Sequence, residues 1–349
     1  MTGRWWHPEA LKARRSNLRT RTIARRALAD WFDAQGFAEV ETPALQTSPG
    51  LEPHLAAFET RLLPAGHYGA ETPGRPMFLH TSPEFAMKKL LAAGMERIWQ
   101  LCPVFRNAEG SSTHSPEFRM LEWYRVGAGY ADLMDDCEAM IAAVARACSS
   151  ETLKRGDRVA SAVAPFRRLR VADAFQEYCG HDLAATIAEN PAAPPVEPLR
   201  ECARRLGIRT ASDDGFDDVF FRLMDDRIEP QLGDGAPCLL YDYPVSMAAL
   251  SRPKPDDPHW AERVELYVCG VELANGFGEL TDAVEQRRRF EADMVTKERL
   301  YGHRYPIDED FIAAVAAMPP AAGMALGFDR LVMLLTGAAR IEDVLWAPV

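Results

Sequence analysis

Three stretches of this sequence set charged side chains among apolar ones, in a pattern suited to chemistry on phosphates and amines. The first is FRNAEGSSTHSPEFRMLEWYR, residues 105–125, carrying Arg106, Glu109, His114, Glu117 and Phe118. It reads as two strands, 97–106 and 117–126, around a polar loop at 107–116. An arginine at a strand end can clamp a phosphate through two parallel N–H donors. An aromatic ring on the returning strand can stack a base. In isolation this hairpin reads better as a surface turn with solvated charges.

The second stretch is VELYVCGVELANGFGELTD, residues 264–282. Glutamates inside an apolar run must be paired, protonated or bound to a cation. Glu265 and Glu272 are seven positions apart and would face opposite sides of an unbroken strand. They converge if the strand bends, which Gly270 permits. Two such carboxylates suit Mg²⁺ held jointly with nucleotide phosphates, while Asn275 and Glu279 add an amide and a carboxylate able to hold an ammonium. The third stretch, GMALGFDRLVML at 323–334, reads as a glycine-rich strand, a turn and an apolar helix. Arg330 at the helix start can face a ligand across the glycines; a buried Asp329–Arg330 ion pair is the alternative. No GxxxxGK[ST] and no GxGxxG opening a helix is present, so an ATP site here rests on side chains.

The elements that must position these residues are legible in outline. Pro8 and Gly36 bracket a first helix whose apolar positions are Leu11, Leu18, Ile23, Ala27, Trp31 and Phe32. Residues 37–43 read as a short strand closed by Pro43, 45–76 as loops and short strands, and 84–93 as a helix ended by Gly94. A second long helix covers 131–148. Between 180 and 237 the texture changes to a helical insertion, with amphipathic helices near 199–206 and 216–228. Strands resume at 238–244 and 264–273, and helices follow at 282–301 and 309–318. Because strands do not alternate with crossover helices, the fold class is α+β: one domain over 1–349, an antiparallel sheet flanked by helices.

Bulk properties narrow the function. The chain has 349 residues, 47% hydrophobic and 26% charged, typical of a folded protein with a sizeable core. A net charge of −11 argues against a protein that coats nucleic acid with a broad basic face. The arginine-rich first thirty residues read as an amphipathic helix in preference to a presequence or nucleic-acid arm. Seven scattered cysteines without a CxxC pair fit free thiols in a reducing cytosol. Eight histidines show no zinc-binding spacing. The longest uncharged stretch, 311–328, is broken by Pro319 and Pro320 and does not read as a membrane span.

In order and spacing, these segments resemble the signature motifs of the class II aminoacyl-tRNA synthetases. Val40-Glu41-Thr42-Pro43 looks like motif 1, residues 105–125 like motif 2 and residues 323–334 like motif 3. The lysine branch is the nearest match, through TSPE (81–84), HSPEF (114–118) and ELANGFGEL (272–280). Within it the chain is similar to the elongation factor P lysine ligases, which attach (R)-β-lysine to a lysine side chain of elongation factor P. The motif 1 strand begins by residue 38, leaving no room before it for an OB-fold anticodon-binding domain. Ala325 stands where lysyl-tRNA synthetases have glycine, a methyl that reshapes the pocket by roughly 1–3 kcal/mol of selectivity at most.

The resemblance implies roles for individual residues. Arg106 binds the α-phosphate; Phe118 stacks adenine against Arg330, which also reaches the γ-phosphate; Glu265 and Glu272 hold Mg²⁺. Asn107, Glu109 and His114 complete the ATP site. Glu279 and Asn275, with Tyr124 alongside, take the distal ammonium, and Ser82, Glu84 and Glu122 address the other amine. The family reads Arg-Asn-Glu in motif 2 where this chain has Arg106-Asn107-Ala108, so either Glu109 takes over that nucleotide contact or it is absent. The implied activity is ATP-dependent adenylation of β-lysine or lysine, then transfer to elongation factor P, by a cytoplasmic homodimer that needs no tRNA or membrane. Two other readings stand beside it: a truncated synthetase paralogue supplying an adenylate to tRNA or a small molecule, and an inactive regulatory subunit.

Overall fold

The structure, a computed structural model, describes residues 4–69, 72–163 and 165–349. Of the 45–76 stretch, residues 70 and 71 therefore lie outside the described residues, as do the first three residues of the arginine-rich start. Helices are α1 (Pro8–Ala34), α2 (Glu84–Ala92), α3 (Tyr130–Ala147), α4 (Val171–Cys179), α5 (Leu183–Glu189), α6 (Glu197–Arg205), α7 (Phe216–Leu223), α8 (Ala283–Tyr301), α9 (Glu309–Ala317) and α10 (Phe328–Thr336). Strands are β1 (Ala38–Glu39), β2 (Leu45–Gln46), β3 (Phe58–Leu62), β4 (Arg75–Leu79), β5 (Arg97–Phe105), β6 (Glu117–Val126), β7 (Thr152–Arg155), β8 (Arg158–Ser161), β9 (Arg167–Arg170), β10 (Cys238–Pro244), β11 (Trp260–Val268), β12 (Val271–Gly278) and β13 (Ala321–Gly327).

Eight strands form one sheet in the order β1-β5-β6-β13-β12-β11-β10-β9. Its six central strands are antiparallel, as expected. The two outermost pairs, β1 with β5 and β9 with β10, are parallel. The motif 1 strand pairs over only two residues. Alternation along each central strand sends one set of side chains to each face. Leu121, Trp123, Val264, Leu266, Met324 and Leu326 join α1, α3 and α10 in the largest core.

The opposite face carries the site and is covered only at its ends. At one end α4–α7 bury Phe175, Phe220 and Leu223 against Leu240, Tyr243, Trp260 and Tyr267 of the sheet. This helical layer begins at Val171, earlier than the texture change at 180, and two short helices, α4 and α5, precede the pair the sequence indicates. At the other end α2, α8 and α9 close around a stack of Phe85 on Phe311, ring centroids 4.1 Å apart.

Helix α1 corrects the expected apolar face. Its buried positions are Arg14, Leu18, Arg21, Ala24, Leu28 and Phe32, while Leu11 is exposed. Two arginines stand in a core stripe because each finds acceptors there. Arg14 donates to the carbonyls of Leu345 (2.6 Å) and Trp5 (3.0 Å). Arg21 is ion-paired with Asp329 of α10 and lies over the Phe328 ring. Asp329 also accepts the Arg119 backbone N–H at 2.6 Å. Arg330, its neighbour, is not Asp329's partner.

Candidate active site

Strand register assembles the site. Gln100, Glu122, Ala325, Asn275 and Glu265 are cross-strand neighbours in one row through β5, β6, β13, β12 and β11. The next row holds Ile98, Tyr124, Gly323, Phe277 and Arg263. Gly323 is required there, because a Cβ would collide with the Tyr124 ring and come within 2.6 Å of Glu279 Oε1.

The two glutamates of the second motif do not share a bent strand. They sit on adjacent antiparallel strands, β11 and β12, joined by a two-residue turn at Cys269 (φ 52°) and Gly270 (φ 70°). Positive φ at both positions is the geometry of a tight hairpin turn. Glu272 pairs with Tyr267, two residues along from Glu265, so both acids face the same side. Asn275, three residues after Glu272, would face away on a regular strand. The register shift between Leu266 and Tyr267 leaves Leu273 as an extra residue, a β-bulge that returns Asn275 to the cavity side.

A cavity of about 460 Å³ opens over this face. Its walls include Ser82, Glu84, Arg106, Glu109, His114, Phe118, Glu122, Glu272, Asn275, Ala325 and Arg330. Tyr124 and Glu279 are buried behind the wall, and Asn107 and Glu265 do not line it. Asn107 instead turns its side-chain carbonyl to the Ala108 N–H at 2.8 Å, in a loop where Ala108 has φ 61°. Glu109 does line the cavity, with its carboxylate 3.9 Å from Arg106.

One end of the cavity is cationic. Arg106 lies over the Phe118 ring at 5.2 Å and donates to the Thr81 carbonyl at 3.4 Å. Arg330 is held by the Glu272 carbonyl at 2.8 Å and by His114 Nε2 at 2.5 Å. Burial first, then the Arg330 charge, lowers the His114 pKa, so its ring stays neutral and accepts that bond. The Glu272 carboxylate receives no hydrogen bond among the described residues, and burial followed by repulsion from Glu265 raises its pKa. Glu265 is fully engaged, by Arg263 at 2.6 Å, Tyr243 at 2.5 Å and Tyr267 at 2.7 Å.

The other end is anionic. Glu122 takes hydrogen bonds from Ser82 on one oxygen (2.5 Å) and Tyr124 on the other (2.8 Å). Burial, reinforced by Glu84, pushes its carboxyl up to about 8. Lys88, fully buried on α2, lies 2.5 Å from Glu84 and 2.6 Å from Glu279. Burial works to strip its proton, but the Glu279 and Glu84 charges outweigh that and hold the ammonium. Burial also raises the Glu279 carboxyl, with Lys88 pulling the other way. Sequence reasoning missed Lys88, Arg263, Glu52 and Phe221; the last three line the cavity. A lysine four residues from a glutamate on a helix is a visible pairing signal for Lys88. Arg263 pairs with Glu265, two residues along the same strand face, which is also a local signal; Glu52 and Phe221 depend on contacts distant in sequence.

Cations at one end of a cavity and carboxylates at the other are the arrangement needed to join a carboxylate-bearing amine to a nucleotide. Residues 4–349 match the family described as tRNA synthetases class II (D, K and N). The chain is 37% identical over 343 residues to an elongation factor P–(R)-β-lysine ligase of Pseudoalteromonas translucida, covering 97% of this chain and 96% of that protein. It is also 37% identical to the ligase of the same name from Vibrio cholerae, covering 99% and 98%, and 36% identical to that of Salmonella arizonae, covering 97% and 96%. The chain belongs to this ligase family, within the class II synthetases. As an enzyme of that family it is a ligase, and the family's fold accounts for the antiparallel sheet and the order of its motifs. Among the described residues, no helix is long and apolar enough to cross a membrane.

Proposed function

We propose that this ligase uses ATP to activate (R)-β-lysine, or lysine, as an aminoacyl-adenylate and transfers it to a lysine side chain of elongation factor P. The observation that carries the reading is the lining of the cavity: Arg106 and Arg330 stand together with Glu109 and Glu272 around His114, and Glu84 and Glu122 stand together with Ser82. The relatives' names supply the substrate and acceptor.

In the first step the amino-acid carboxylate oxygen bonds to the α-phosphorus of ATP, and the bond to the pyrophosphate oxygen breaks. Arg106 meets the charge on the transferring phosphoryl group, and Phe118 beneath it offers a face for adenine. Arg330, oriented by His114 and the Glu272 carbonyl, addresses the outer phosphates. In the second step the acceptor amine attacks the acyl carbon, an amide forms, and AMP leaves with the electrons of the anhydride bond. The departing proton passes to solvent.

Mg²⁺ fits the phosphate end, where it would neutralise phosphate charge. We assign it to Glu272, whose carboxylate receives no hydrogen bond among the described residues; Glu265 is held by Arg263 and two tyrosines. We further propose a single catalytic domain, working as a cytoplasmic homodimer without tRNA.

Intact-mass analysis of elongation factor P incubated with the enzyme, ATP and (R)-β-lysine tests the reading. The expected result is a gain of one lysyl residue. An unchanged mass, beside an active control ligase, refutes it. Parallel reactions with α-lysine rank the two amino acids.

A further inference from the structure

The carboxylates at the anionic end of the cavity are already partly engaged. Both oxygens of Glu122 are occupied by Ser82 and Tyr124. Glu84 and Glu279 share the Lys88 ammonium. An incoming diamino acid brings two further ammonium groups, and a carboxylate not paired with Lys88 is the better acceptor for one of them.

Glu52 is that group. It lines the same cavity, from the loop between β2 and β3, and its Oε2 is a buried oxygen without a hydrogen-bond donor. Leaving such an acceptor unmet costs about 1–3 kcal/mol and more for a charged group, so it persists where a ligand meets it. Its charged neighbours are Glu84 of the amine end, Arg106 of the phosphate end and Lys297 of α8. Burial and the Glu84 charge both raise its pKa. The amine closest to a substrate's carboxylate must lie near Arg106, because that carboxylate meets the phosphate beside it.

The loop is fixed by two anchors. Thr81, next to Ser82, donates from both its backbone N–H and its hydroxyl to the Pro49 carbonyl. Lys297 of α8, fully buried, donates to the carbonyls of Pro53 (2.9 Å) and Leu55 (2.7 Å) on the other side of Glu52. Gly50, at φ 129°, lets the Glu52 side chain fold back beneath it; a Cβ there would stand 2.9 Å from Glu52 Oε2. Asp293 of α8 is a second carboxyl beside Glu52; burial and Glu52 push it up to about 7 against the pull of Arg289.

We propose that Glu52 is a specificity-determining residue that receives the substrate's carboxyl-proximal amine, leaving the distal amine to the Glu279 end. This rests on the diamino-acid ligase reading above. The acceptor protein's amine is the other ammonium that could reach Glu52, and an assay without acceptor separates the two.

The test is ATP–pyrophosphate exchange by the full-length enzyme, with (R)-β-lysine and with 6-aminohexanoate, which lacks only the proximal amine. Glu52→Gln is expected to raise the KM for (R)-β-lysine by about 30-fold, leave the KM for ATP unchanged, and leave 6-aminohexanoate unaffected. Glu52→Asp should recover part of the loss. An equal effect on both amino acids, or none on either, overturns the proposal, as does a defect seen only in the KM for elongation factor P. A misfolded Glu52→Gln enzyme would lose ATP affinity too, and Glu52→Asp then carries the same comparison. Wild-type enzyme that exchanges pyrophosphate with neither lysine isomer sinks the ligase reading itself, and this proposal with it.

Discussion

Glu122 sits at the base of the anionic end with a carboxyl raised to about 8, by burial first and by Glu84 second. In the free enzyme at neutral pH it therefore carries its proton. An ammonium arriving nearby favours the ionised form, so binding must expel that proton. Affinity for the amino acid should rise as pH climbs toward about 8 and level off above it. The KM for (R)-β-lysine, measured across that range, checks the sign; a KM that is flat or rises refutes it. Ala108 gives a second residue-scale prediction. Its φ of 61° places a Cβ in the left-handed region, at a cost of roughly 1–2 kcal/mol. Ala108→Gly should therefore stabilise the protein by about 1 kcal/mol, after the loss to unfolded-chain entropy, and raise Tm in a thermal melt. The charged residues of the three motifs were legible because an apolar sequence around a charge demands a partner or ligand. Glu52 was not, since it sits in a Gly- and Pro-rich loop with no periodicity, and its role follows only from what surrounds it.

Among elements, the joint between α1 and α10 matters most for the site. Arg21 and Asp329 form a buried ion pair, and Asp329 also receives the Arg119 N–H of β6. Removing one partner strands the other in a core, at a cost of about 3–5 kcal/mol. Arg21→Met should lower the urea midpoint accordingly, and a shift under 1 kcal/mol, on the order expected of an exposed pair, would show the joint is not buried in solution. The paired Arg21→Met, Asp329→Leu variant should recover much of that loss, less the Arg119 bond. Helices and strands around the site were readable from periodicity, because their apolar faces are long. The α1 face was misassigned for a specific reason: arginines that end on carbonyls and a carboxylate far along the chain look solvent-facing in sequence. Short α4 and α5 were missed because two helical turns give too few periodic positions. The hairpin at 269–270 was taken for a bend, since Cys269 is not a residue type that announces a left-handed turn.

At the scale of the molecule, the cavity is floored by one sheet face and roofed at its two ends by unrelated helical layers. The α4–α7 layer reaches it through Phe221, and the α8 layer through Lys297, which holds the loop carrying Glu52. Lys297→Met should free that loop and raise the amino-acid KM while sparing the KM for ATP; equal losses in both would assign Lys297 to general stability. A homodimer predicts a sedimenting species of twice the 38.9 kDa chain mass at micromolar concentration, and a monomer at all concentrations rejects it. The overall architecture was legible because motif order spans the chain. How its layers close on the cavity depended on pairings that no local pattern encodes.

The single extra residue at Leu273 has a consequence for how this segment can vary through descent. The interval from 265 to 279 carries Glu265, Glu272, Asn275 and Glu279, and its length as well as its side chains sets where they point. Chain length there can change in one direction only: losing Leu273 would leave a regular ladder with Asn275 two positions after Glu272 and still on the cavity side, whereas an added residue turns Asn275 to the far side unless a further bulge absorbs it. Insertions should thus be rare in this interval among functioning relatives, while a relative one residue shorter at the bulge would keep its amide on the cavity side.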